Sequence, residues 1–277
     1  MSLTEYMPEV SEEYKPLLAA AFTMAENAGR IQMSYFRRAG LRQSTKLNDS
    51  DIVTVADKES EASVLEYIHQ NFPSHGIISE ESGKEHEDRE WRWVIDPLDG
   101  TTNFAAGLPA FCVSIALEHN GEAVVGVVFA PYLGELFYAV DGYGAWLNGQ
   151  RIHCSDKAQL SKAVVATGMP YDRNDNPDNN LSEISRMAMR VRGIRRMGSA
   201  AIDLCYIAAG FFDAYWELNL KRWDVAAGQL IAAEAGAMIE SIRSDRNHSI
   251  LVSNPQLYET VREILLTITE ASLPKNS

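Results

Sequence analysis

The stretch WVIDPLDGTTNF, residues 93–104, decides how this chain is read. Apolar residues from Trp91 to Ile95 predict a strand that stops at the acid Asp96. Pro97 follows, and proline has no N–H to give to a sheet ladder. Asp96 and Asp99 therefore flank a segment expected to leave the sheet. Gly100, Thr101, Thr102 and Asn103 come next, small polar residues whose backbone can approach a ligand closely. Two acids and a main-chain carbonyl at a strand end are what a hard divalent cation such as Mg²⁺ takes. Glycine and threonines opening a helix offer N–H groups to a phosphate. Taken singly, Asp99-Gly100 is a common turn pair and Asp96-Pro97 a common turn opener. The string as a whole brings metal and phosphate into one loop.

Composition sets the frame around that loop. A chain of 277 residues, 46% hydrophobic and 23% charged, can bury a substantial core in one or two domains. No apolar run approaches the length of a membrane span, and residues 1–15 are acidic and polar, unlike a signal peptide. Cys112, Cys154 and Cys205 are odd in number and lack Cys-x-x-Cys spacing, which predicts a reducing, cytoplasmic setting and no structural zinc. The net charge is −13, from 38 acids against 25 bases, and counts against nucleic acid as a partner. Arg190, Arg192, Arg195 and Arg196 form the one basic cluster in the sequence. Bound metal ions would supply the local positive charge that a phosphate ester needs.

In chain order, residues 11–38 predict a long amphipathic helix, with Leu17, Ala21, Met24, Ala28, Ile31 and Tyr35 along one face and Gly40 at its stop. A polar turn at residues 48–51 leads into a strand over 52–55, and Asp57 then reads as the N-cap of a second helix. Residues 76–79 predict a short buried strand ending in Glu80 and Glu81, either a solvated pair or further acids suited to a hard cation. Strands follow over 110–118, 123–130 and 135–139, with Asn120-Gly121 as a hairpin turn. The first half thus predicts two helices on a largely antiparallel sheet.

From about residue 158 strands and helices alternate: strands over 163–167, 194–197 and 212–216, helices over 181–191, 198–209 and 225–236. Such alternation predicts parallel strands and a second α/β unit. Asp224 reads most simply as another helix cap. The tail predicts a weak strand pair and a helix over 255–269. Six scattered histidines, never at i, i+4, give no support to a histidine-based metal site.

The 93–104 string resembles the signature of the inositol monophosphatase family, magnesium-dependent, lithium-sensitive phosphomonoesterases with an Asp-Pro-Ile/Leu-Asp-Gly-Thr-x-Asn-Phe core. Val-Thr-Val-Ala-Asp at 53–57, Glu80-Glu81, Gly198-Ser199-Ala200 and Trp223-Asp224 with Ala227-Gly228 match further family strings in the same order. The resemblance implies an α/β (α+β) fold, a layered αβαβα sandwich, with an N-terminal half (1–150) and a C-terminal half (151–277) enclosing the active site. It implies Glu80, Asp96, Asp99, Asp224 and the Leu98 carbonyl as ligands of two or three Mg²⁺ ions. It implies that Asp57 orients Thr101 and a water, and that Glu80 shares the role of base. Gly100, Thr101 and Thr102 would meet the phosphate, Gly198, Ser199 and Ala200 would line the pocket beside Asp224, and Glu217 would bond substrate hydroxyls. Lys46 matches a family lysine near a weaker metal position. Ser79 and Ala237 stand where the family usually has glycines, and Glu234 is expected to be structural.

Family members are typically homodimers. A polyol leaving group is expected from Glu217, with myo-inositol monophosphate first. Fructose 1,6-bisphosphate, histidinol phosphate, NADP and 3′-phosphoadenosine phosphates are the alternatives, and Arg222 could meet a second phosphate. A regulatory role on RNA or the transcription machinery is the expectation of another class.

Overall fold

A computed structural model describes residues 3–38, 43–45 and 52–267. The first helix, α1, spans Tyr14–Tyr35, three residues shorter at each end than its periodicity suggests. Strands β1 (Gln43–Thr45) and β2 (Ile52–Thr54) pair with each other, and α2 (Val55–Asn71) follows. Then come β3 (Gly76–Ser79), β4 (Gly83–Glu85), β5 (Trp91–Asp99), the short α3 (Thr101–Ala106), β6 (Cys112–His119), β7 (Glu122–Ala130), β8 (Glu135–Val140), β9 (Gly144–Leu147) and β10 (Gln150–Ile152). These strands form an eight-stranded sheet in the order β10-β9-β8-β7-β6-β5-β3-β4. Only β3 and β5 run parallel in it; every other pair is antiparallel. Asn120 and Gly121 both take positive φ, 52° and 92°, as the hairpin turn requires.

The rest of the chain is β11 (Val164–Thr167), α4 (Leu181–Ala188), β12 (Gly193–Arg195), α5 (Ala200–Ala208), β13 (Ala214–Leu220), α6 (Arg222–Glu234), β14 (Met238–Ser241), β15 (His248–Ser253) and α7 (Tyr258–Leu266). The second sheet has the order β12-β11-β13-β15-β14, parallel on one side and antiparallel on the other.

Side-chain alternation builds the layers. One face of the eight-stranded sheet, with Trp93, Ile95, Ile115 and Val127, packs on α1 and α2. Its other face, with Val94, Ala116 and Val128, packs on Ala201 and Cys205 of α5 and Ala227 and Ile231 of α6. The opposite sides of α5 and α6 meet Ala166, Tyr215 and Val252 of the second sheet. Neighbours one residue along, Val165, Ala214 and Trp216, face α4 and α7 instead. The result is an αβαβα stack with α5 and α6 shared by the two sheets. No helix among the described residues is long and apolar enough to cross a membrane.

Candidate active site

The proline does not end β5. The strand continues to Asp99 through a bulge: Asp96 pairs with Ser114 and Asp99 with Cys112, three steps against two. The sequence-based expectation of a strand stopping at Asp96 is corrected by this extra residue, which absorbs the missing Pro97 N–H. Pro97 O accepts from Gln32 Nε2 of α1 at 2.7 Å, and Leu98 N donates to Asp96 Oδ1 at 3.0 Å. Leu98 is buried with Phe36, Phe104 and Phe111, which anchors the bulge. Gly100 then turns the chain into α3 with φ 92°; a Cβ there would lie 2.8 Å from Ala110 O. Left-handed φ and close backbone both call for glycine.

Thr101, at the start of α3, has its hydroxyl 2.9 Å from Asp57 Oδ1 and 3.0 Å from Leu98 O, with one proton to give. Asp57 is buried and is not the N-cap that its sequence setting suggests. Thr54 is the N-cap of α2, and Asp57 sits three residues on, accepting from Thr54 N at 2.9 Å and Thr54 Oγ1 at 2.5 Å through Oδ2. One Asp57 oxygen thus serves the capping box and the other faces Thr101. Burial raises the Asp57 pKa, against the pull of its Thr54 and Thr101 hydrogen bonds.

Glu80 follows β3, its N–H bonded to Ile95 O at 3.2 Å. The loop carrying it is gripped by Glu61 of α2, which accepts from Glu81 N at 3.0 Å, Ser82 N at 3.1 Å and Ser82 Oγ at 2.5 Å, as well as from the Ser79 hydroxyl. Ser79 thereby has a use that the glycine it replaces would lack. Glu61 carries no local sequence signal and was not anticipated.

The second sheet and its helices approach from the other side. Ser199, N-cap of α5, donates to Asp99 Oδ2 at 2.7 Å, and Ala201 N donates to the same oxygen at 2.8 Å. Ser199 and Ala200 are buried, so their contribution is to seat Asp99 and start the helix. Asn103 Nδ2 lies 2.7 Å from both Ala110 O and Met197 O, which stitches α3 to the segment before Gly198. Asp224 is three residues past Lys221, the N-cap of α6, and accepts from Lys221 N at 2.6 Å, the position Asp57 holds in α2. Glu217 lies on β13, which continues beyond Trp216 to Leu220. Tyr215 OH donates to it at 2.6 Å, and a Cβ on Gly168 would stand 2.0 Å from its carboxyl and displace it.

Asp96 is 2% exposed, whereas Asp99, Glu217 and Asp224 keep partial exposure, as groups bordering a pocket would. Burial is the largest influence on all four and raises each pKa. Like charges add to it: Asp96 is pushed well up by Glu80, Asp99 and Asp224 and by a hydrogen bond with Glu80. Asp224 is pushed well up by Asp99, Glu80 and Glu217. Asp99 reaches about 6, held there by its bonds to Ser199 and Ala201, and Glu217 reaches about 7 despite Tyr215 and Arg196. Asp203 of α5 is buried beside Glu217 and Asp99, with one oxygen lacking a hydrogen-bond partner. Nothing in its sequence setting singled it out.

Among the described residues, no three histidine, cysteine, aspartate or glutamate side chains already stand gathered as a ligand set. The donor chemistry nonetheless fits a hard divalent cation: the acids offer oxygen only and repel one another until a positive charge relieves them. Thr102 is exposed at the front of α3, and Gly198 follows the Arg196 side chain closely. Arg222, read as a candidate for a second phosphate, is bound to Glu118 instead, with Nε at 2.5 Å from Oε1. Lys46 lies outside the described residues. Glu234 accepts from Gly142 N at 3.0 Å and Gly144 N at 2.6 Å, a structural role as expected.

The chain is similar to known proteins over nearly its whole length. Nus factor SuhB of Pasteurella multocida is 43% identical over 239 residues, 86% of this chain and 89% of the relative. The solved inositol monophosphatase of Anabaena (Nostoc) sp. PCC 7120 superposes with a TM-score of 0.83 at 39% identity, covering 93% of this chain and 98% of that one. The extragenic suppressor protein suhB of Bartonella henselae gives a TM-score of 0.85 at 37% identity, covering 92% and 100%. The model of the inositol monophosphatase family, whose members are generally Mg²⁺-dependent, matches residues 13–270. With the layered fold described above, this chain belongs to the inositol monophosphatase family.

Proposed function

We propose that the protein is a Mg²⁺-dependent phosphomonoesterase acting on a small polyol phosphate, with myo-inositol monophosphate as first choice of substrate. The observation that carries this reading is the seating of Asp99, on β5, by Ser199 and Ala201 of α5, beside the Thr101–Asp57 hydrogen bond. Glu80, Asp96, Asp99, Asp224 and the Leu98 carbonyl would hold Mg²⁺, which when bound acidifies a water and offsets phosphoryl charge. Asp57 accepts the hydrogen bond that the Thr101 hydroxyl donates, so the Thr101 lone pairs are left to accept from the attacking water and aim it. Glu80 receives the water proton as general base. The N–H groups of residues 100–102 bond the phosphoryl oxygens. A P–O bond forms to the water oxygen as the P–O bond to the polyol breaks, solvent protonates the departing alkoxide, Glu80 returns its proton to solvent, and inorganic phosphate and the free polyol leave. No covalent phosphoryl-enzyme is required. Glu217 orients the leaving group through its hydroxyls, next to Gly198, Ser199 and Ala200. The family resemblance supports a homodimer, and three free thiols support a cytoplasmic location.

Phosphate release from a panel tests this: inositol 1-phosphate, fructose 1,6-bisphosphate, histidinol phosphate, NADP and 3′-phosphoadenosine 5′-phosphate, each with Mg²⁺ and with chelator. Mg²⁺-dependent release, fastest on inositol 1-phosphate, is expected. No release from any substrate would refute the reading. A second reading, a regulatory partner of the transcription machinery, is favoured by the similarity to proteins named Nus factor SuhB. A partner retained by the Asp96→Asn variant in a pull-down would support it.

A further inference from the structure

Glu118, next to last in β6 beside the Asn120-Gly121 hairpin, is fully buried between two arginines. Its register partner on β5 is Arg92, whose Nε lies 2.5 Å from Oε2. Its other oxygen takes Arg222 Nε at 2.5 Å, and Arg222 Nη2 reaches on to Gly121 O at 3.4 Å. The two arginines belong to the two elements that carry the acids of the site. Arg92 stands on the strand that ends in Asp96 and Asp99, and Arg222 opens the helix whose first turn carries Asp224. A second tie runs beside the first: Ser114, the register partner of Asp96, has its hydroxyl 3.4 Å from Trp223 O, next to Asp224.

A buried carboxylate is costly unless paired, and an Arg–Glu–Arg triad adds little stability that apolar residues of the same volume would not give. What such a triad does supply is a fixed geometry, because the planar guanidinium forks bond in set directions. Here that geometry is the separation between β5 and the first turn of α6. We propose that Glu118, with Arg92 and Arg222, is a positioning triad that holds Asp224 in register with Asp96 and Asp99 and so sets the affinity of the site for a divalent cation. This rests on the metal reading given above. It also gives Arg222 a role other than meeting a second phosphate.

The test is calorimetric titration of the chelator-stripped full chain with Mn²⁺ as the probe. Arg222→Met is the variant of choice, since Glu118 keeps Arg92 and the fold has its charge still paired. Its Mn²⁺ affinity is expected to fall about tenfold, the scale of losses when a group supporting a ligand is removed. Its melting temperature without metal should stay close to that of the native chain, and its kcat at saturating Mg²⁺ should change less than its Mg²⁺ requirement. In an Asp224→Asn background the same substitution should cost less than twofold, because the residue being positioned is gone. Affinity within twofold of native, or an equal tenfold loss in both backgrounds, would overturn the proposal. Native protein showing no Mn²⁺ binding that depends on Asp96 would instead overturn the metal reading itself.

Discussion

Replacing Glu217 by Gln should stabilise the metal-free protein at alkaline pH while impairing its use of substrate. The carboxyl is raised from an ordinary 4.5 to about 7, chiefly by burial, with Asp99 adding like charge and Tyr215 and Arg196 opposing. A raised acid favours the folded state below its unfolded pKa, and that contribution is lost as pH rises through 7. The shift corresponds to about 3 kcal/mol between pH 4 and pH 8, an upper figure because the residue keeps some exposure at the pocket. For a chain of this size it equals roughly 5 °C in Tm. Glutamine cannot ionise, yet its carbonyl oxygen can still accept from Tyr215. Thermal melts in chelator should therefore show Glu217→Gln about 5 °C above native at pH 8 and equal to it near pH 4. A shift of the same size at both pH values would refute the reasoning, since it would show a packing effect with no linkage to charge. The same variant should raise KM for inositol 1-phosphate, where a ligand hydroxyl loses its carboxylate acceptor.

Three further outcomes are expected. Asp96→Asn and Asp99→Asn should each lower phosphate release by about 10³-fold or more with far-UV circular dichroism unchanged, and near-native turnover in either would contradict the ligand assignment. Mg²⁺ should raise Tm more at pH 8 than at pH 6, because the elevated pKa values of Asp96, Asp99 and Asp224 make the cation compete with protons; melts across that range check it. Thr101→Ala should cost about 10²-fold in kcat whereas Thr101→Ser stays near native, since only the hydroxyl bonded to Asp57 is used.

Much of the site was legible because its residues sit in continuous strings, where local order and the family resemblance reinforce each other. The acids Glu80, Asp96, Asp99 and Asp224 and the Thr101–Asp57 pair all came from such strings. Strand β3 and the Asn120-Gly121 hairpin were legible from local chemistry alone, a short apolar run and a turn demanding positive φ. Position within a helix was less so. Asp57 and Asp224 looked like N-caps, yet both stand three residues inside, reaching back to the N-cap N–H; Lys221 as an N-cap has no side-chain oxygen to announce itself. The passage of β5 through Pro97 was hidden because a bulge removes the ladder bond that proline would have broken. Glu61, Glu118 and Asp203 were invisible for another reason. Their partners lie 18 or more residues away or on another sheet, and a lone acid in a strand or helix reads as solvated until the fold buries it.

The central claim is that acids brought by both sheet layers act as one metal-dependent hydrolytic site. Phosphate release from inositol 1-phosphate by Asp224→Asn, beside the native chain, with Mg²⁺ and with chelator, tests it most directly. The account predicts Mg²⁺-dependent release by the native protein, none in chelator, and a loss of at least about 10²-fold in the folded variant. Release that persists in chelator, or a fully active Asp224→Asn, would contradict it.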